Sequence, residues 1–64
     1  MKRKDLIKHL NENGCVFIRE GARHSVFFNP SMKKLSTVPR HSEINGFLSK
    51  KICRDLGIDI PQKL

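Results

Sequence analysis

The chain has 64 residues, 38% of them hydrophobic, and carries 13 Lys and Arg against 6 Asp and Glu, for a formal charge of +7. A chain this short buries only about 60% of the surface it exposes when unfolded, which leaves room for one core and predicts a single domain over residues 1–64. The charge excess points to a polyanionic partner, and because no apolar run approaches the roughly 18 residues of a membrane span, nucleic acid comes before a lipid surface.

Between Lys4 and Asn13, Leu6, Ile7 and Leu10 recur at helical spacing among Lys and Glu, and Gly14 follows as a residue free to take positive φ. This predicts a first helix. Its apolar stripe is narrow, so it needs a broad apolar surface beneath it, which in so small a domain means a sheet. "CVFIRE" and "HSVFFN" are β-branched and aromatic runs that stop at Glu20-Gly21 and at Asn29-Pro30-Ser31, two strands joined by a tight glycine-containing turn. "KLSTVP" predicts a third, shorter strand, ended by Pro39 because proline has no amide hydrogen to give to the ladder. After Ser42, the expected N-cap, Ile44, Leu48, Ile52 and Leu56 recur every four residues, with Cys53 widening the stripe and Gly57 just past its end. This is the second helix. Its other face holds Lys50, Lys51 and Arg54, charges that suit the carboxyl end of a helix without any functional reason. Ile58 or Ile60 is expected to add a last apolar contact before Pro61.

The fold class is therefore α+β, in the order α-β-β-β-α, with a three-stranded antiparallel sheet and two helices on one face. The other sheet face is left open. In the second strand His24, Val26 and Phe28 alternate with Ser25, Phe27 and Asn29, and since each set carries a Phe, the sequence leaves open which one meets the helices. Most of the four Phe residues are expected in the core.

Cys15 and Cys53 lie far apart, and neither sits in a C-x-x-C pair or beside a His at metal-ligand spacing. The expectation is two buried, reduced thiols in a cytoplasmic protein, with no metal site and no cofactor. The start, "MKRKDLIKHL", has a positive end but no apolar h-region or small-residue cleavage site, so nothing in it directs secretion.

"RHSVFFNP", "TVPRHSE" and "INGFLSKKICRDLGI", together with the opening "KDLIKHLNENGCVFIRE", resemble the HicA toxins over nearly the whole chain. The resemblance implies a small ribonuclease of a type II toxin-antitoxin module, folded like a double-stranded RNA-binding domain, acting on mRNA and silenced by a HicB-like antitoxin. It also implies a catalytic histidine where a short Gly-Ser-His-like stretch opens the second strand, which falls on His24. Ala22 and Arg23 stand here where the family usually shows Gly and Ser. By itself a lone strand histidine ordinarily packs or hydrogen-bonds and carries little information. The resemblance is what makes His24 the catalytic candidate.

The chemistry asks for little. RNA carries its own nucleophile, so a lone imidazole with an unperturbed pKa of about 6.5 can act as base or acid near neutrality without a metal. Charge on the phosphate would be met by cations near the strand: Arg23 and Arg19 are nearest in sequence, with Lys33, Lys34 and Arg40 in the adjoining loops. His41 is a conceivable second acid or base, although "PRHSE" reads equally well as a polar turn before a helix, and His9 reads as a solvated surface residue. The alternative is a non-catalytic double-stranded RNA-binding module that clamps phosphates with Lys33-Lys34 and Lys50-Lys51.

Overall fold

A computed structural model describes residues 1–62, with elements α1 (Arg3–Glu12), β1 (Val16–Glu20), β2 (His24–Asn29), β3 (Lys34–Pro39) and α2 (Gly46–Leu56). The order is α-β-β-β-α, and the strands form an open antiparallel sheet in the order β1-β2-β3. The three strands lie where the β-branched and aromatic runs predict them. Each hairpin turns at a point where glycine or proline breaks the run.

Register decides the faces. Phe27 pairs with Phe17 and Ser36, and Ser25 with Glu20 and Val38, so these side chains share one side of the sheet. Both helices cover that side: Leu6 and Leu10 of α1 and Ile52, Cys53 and Leu56 of α2 close over Phe27, Val38 and Cys15 as one buried cluster. The opposite side carries the row Val16, Phe28 and Leu35, then Arg19, Val26 and Thr37, then His24 beside Pro39. It has no helix over it. Between Phe17 and Arg19 the register slips by one residue, a β-bulge that leaves Ile18 as the surplus residue on β1.

Both helices end alike. Gly14 takes φ 84° and the Cys15 amide donates to the Leu10 carbonyl at 2.9 Å, while Gly57 takes φ 73° and the Ile58 amide donates to Cys53 at 3.0 Å. Ile58 then packs against the core. The buried Asn29 side chain donates to the Leu56 carbonyl at 2.7 Å and pins the far end of β2 to the last turn of α2.

Three expectations need correction. Ser42 does not cap α2, which starts at Gly46 with Asn45 as its N-cap: the Asn45 side chain accepts from the Leu48 amide at 2.8 Å. Residues 42–44 run extended beside the start of the chain instead, with Arg3 N–H donating to the Ser42 carbonyl and Ile44 N–H to the Met1 carbonyl. His9 is not a free surface group, because its Nε2 donates to the Asp59 carbonyl at 2.7 Å and ties α1 to the segment after α2. The aromatics are not mostly core: Phe27 is 2% exposed and Phe28 half-buried, but Phe17 is 52% and Phe47 81% exposed. Phe17 overhangs the edge of the sheet, meeting Phe27 edge-on with ring centres 5.9 Å apart.

Cys15 and Cys53 are buried and free. Burial pushes both thiols above their usual pKa, and at Cys53 the nearness of Cys15 adds to the rise.

Candidate active site

His24 is the first residue of β2, exposed, opposite Pro39 and on the open side of the sheet. Its backbone is held from the β1 side by the Gly21 amide, which donates to the His24 carbonyl at 2.7 Å. Glycine suits that contact, since a Cβ at Gly21 would stand 3.3 Å from the same oxygen. On the opposite face, one residue along, Ser25 is 1% exposed and anchors a polar chain. Arg3 donates through Nη2 to Ser25 Oγ at 2.5 Å and through Nε to the Pro39 carbonyl at 2.9 Å; Ser25 donates to Glu20 Oε1, and Arg40 pairs with Glu20 Oε2 at 3.4 Å. The strand ends around His24 are thus joined by side chains from α1, β1, β2 and the exit of β3.

From His24 a groove of about 400 Å³ runs between β3 and α2. Thr37, Pro39 and Leu35 form its sheet wall, and Leu48, Lys51 and Asp55 its helix wall. Lys51 and Asp55 pair across one turn of α2 at 2.8 Å.

The cations divide into two groups. Arg19 lies on the His24 side of the sheet, paired with Val26, and Arg23 is exposed immediately before the histidine. Arg40 is close by but paired with Glu20. Lys33 and Lys34 are at the other end: Lys34 pairs with Asn29, five residues along β2, which at ~3.4 Å per residue is about 17 Å from His24. His41 is exposed in the connection to α2. Among the described residues, no three His, Cys, Asp or Glu side chains converge as metal ligands, and no helix is long and apolar enough to cross a membrane.

A family model described as the HicA toxin of bacterial toxin-antitoxin modules matches residues 3–58. The chain belongs to the HicA toxin family. That match spans every strand and both helices, and membership makes the protein the toxin of a toxin-antitoxin pair. No curated protein and no solved structure matches the chain.

Within this HicA fold the sequence missed the Arg3–Ser25–Glu20–Arg40 chain. A serine inside an apolar strand gives no sign of which residues reach it. It also missed Phe47, for which a signal existed: an aromatic residue off the apolar stripe of an amphipathic helix.

Proposed function

We propose that this toxin, a single HicA-like domain over residues 1–64, is a cytoplasmic, metal-independent endoribonuclease that cleaves mRNA and other single-stranded RNA with His24, and that a HicB-like antitoxin silences it. The observation that carries the reading is an exposed imidazole on the open side of the sheet, at the head of a groove and flanked by Arg19 and Arg23. In the proposed step a 2′-hydroxyl loses its proton to a base, and its oxygen bonds to the adjacent phosphorus. The bond from phosphorus to the 5′-oxygen breaks, and that oxygen gains a proton. The products are a 2′,3′-cyclic phosphate and a 5′-hydroxyl. His24 supplies one proton transfer, and Arg19 and Arg23 stabilise the charge on the non-bridging oxygens.

Arg40 serves mainly to hold Glu20 and contacts phosphate where the RNA passes the end of β3. Lys33 and Lys34 contact RNA several nucleotides away. A HicB-like antitoxin carrying carboxylates would pair with Arg19 and Arg23 and exclude phosphate from His24 in the same act.

The test is incubation of the protein and of His24→Ala with labelled single-stranded RNA in EDTA, followed by analysis of the ends. Cyclic-phosphate fragments that vanish with the variant support the reading. Binding without cleavage by the unaltered protein, strongest on duplex RNA, would replace it with the non-catalytic alternative.

A further inference from the structure

Phe47 is the most exposed of the large hydrophobic side chains among the described residues, at 81%. The fold does not use it. The buried side of α2 is formed by Ser49, Ile52, Cys53 and Leu56, so the ring meets water where a polar residue would serve the helix as well. Its neighbours on the helix surface, three, four and seven residues on, are Lys50, Lys51 and Arg54. All three are exposed, and of them only Lys51 has a carboxylate partner among the described residues.

Phe47 also stands at the histidine end of the groove. It adjoins Leu48 and precedes Lys51 by one turn, and both of those line the groove that His24 heads. The other end of α2 is fixed far from His24, since Leu56 accepts the hydrogen bond from Asn29. An exposed ring followed by a line of cations is the arrangement with which proteins hold single-stranded nucleic acid: bases stack on the ring, and phosphates follow the charge. Protein-binding patches instead carry their aromatics among few lysines.

We propose that Phe47 is a stacking platform for a nucleobase of single-stranded RNA lying beyond the cleaved phosphate, with the Lys50 and Arg54 side of α2 leading the strand away from the site. This rests on the ribonuclease reading. Phe47 then contributes to RNA affinity and to preference among bases, while His24 and the arginines act on the phosphate.

Binding is measured by fluorescence anisotropy with a labelled single-stranded RNA and a matching abasic ribose-phosphate oligomer. His24→Ala protein keeps the RNA intact, and Phe47→Ala, Phe47→Leu and Phe47→Trp are added to it. The same three variants with His24 present give kcat and KM. Phe47→Ala is expected to weaken RNA binding about tenfold and raise KM, with Phe47→Trp restoring both, Phe47→Leu neither, and abasic affinity unchanged throughout. Cleavage and binding unaltered in folded Phe47→Ala would overturn the inference and leave the ribonuclease reading standing. Rescue by Leu as complete as by Trp would also overturn it, because an aliphatic contact with the RNA would then suffice without stacking. If the unaltered protein neither binds nor cleaves RNA, the ribonuclease reading falls and takes this inference with it.

Discussion

The Arg3 guanidinium donates to the Ser25 hydroxyl on the face of the sheet opposite His24, one residue along the same strand. The first turn of α1 is thereby wired to the strand that presents the candidate catalytic group. Ser25→Ala would leave an Arg3 donor and a Glu20 oxygen short of a partner in a partly buried place, at a cost of about 1–3 kcal/mol. Urea unfolding should show a lower midpoint, and RNA cleavage should fall although His24 is untouched. An unchanged midpoint would mean that water replaces the hydroxyl without loss.

The division of the cations predicts unequal roles. For single-stranded RNA, log affinity should fall with log salt by roughly 0.7 per phosphate neutralised. Arg19→Ala and Arg23→Ala should each reduce that slope by about one contact and lower the cleavage rate. Lys33→Ala and Lys34→Ala, at the other end of the hairpin, should reduce the slope but leave cleavage of short RNAs at the unaltered rate. A salt titration without slope would remove phosphate contact as the basis of binding.

Asn45 caps α2 by accepting from the amide of Leu48, a residue of the groove's helix wall. Asn45→Ala should cost about 1 kcal/mol, because the Leu48 amide loses its acceptor, whereas Asn45→Asp or Asn45→Ser should cost almost nothing. Thermal melts of the three variants make the comparison, and a cost shared equally by Asp and Ser would assign the loss to something other than the cap.

The two buried thiols make stability depend on alkaline pH. Their folded-state pKa values are raised, so as pH rises the unfolded chain gives up its thiol protons first. The thiols' contribution is complete below the ordinary thiol value near 8.5 and is lost as pH climbs through the higher folded values. Urea midpoints should hold steady from pH 6 to about 8 and then fall, with the fall reduced in Cys15→Ala and Cys53→Ala. A thiol reagent should label the native protein slowly and the unfolded protein fast.

Strands and helix ends were legible because local chemistry decides them: apolar runs broken at Gly21 and Pro30, and glycines at 14 and 57 that accept left-handed geometry. The start of α2 was not. Ile44 continues the four-residue rhythm of Leu48, Ile52 and Leu56, yet it is buried by packing outside the helix, where its amide meets Met1 from across the chain. No local pattern separates the two ways of burying one isoleucine. The face of β2 was likewise ambiguous, since Phe27 and Phe28 offer the core equal choices until the helices settle on one. His24 was legible only through the family resemblance, and its supporting chain from Arg3 to Arg40 joins residues far apart in sequence.

The surplus residue at Ile18 sorts charge by side. Strict alternation from Phe17 would send Arg19 under the helices and turn Glu20 outward beside the histidine. One extra residue exchanges the two, so that the carboxylate is tucked between Ser25 and Arg40 while the guanidinium joins His24 in view of solvent. The sign of the surface that an incoming anion meets is therefore written in the pairing of β1, which passes over Ile18, rather than in its composition. The same residues laid into the ladder without the bulge would turn a repelling carboxylate toward it.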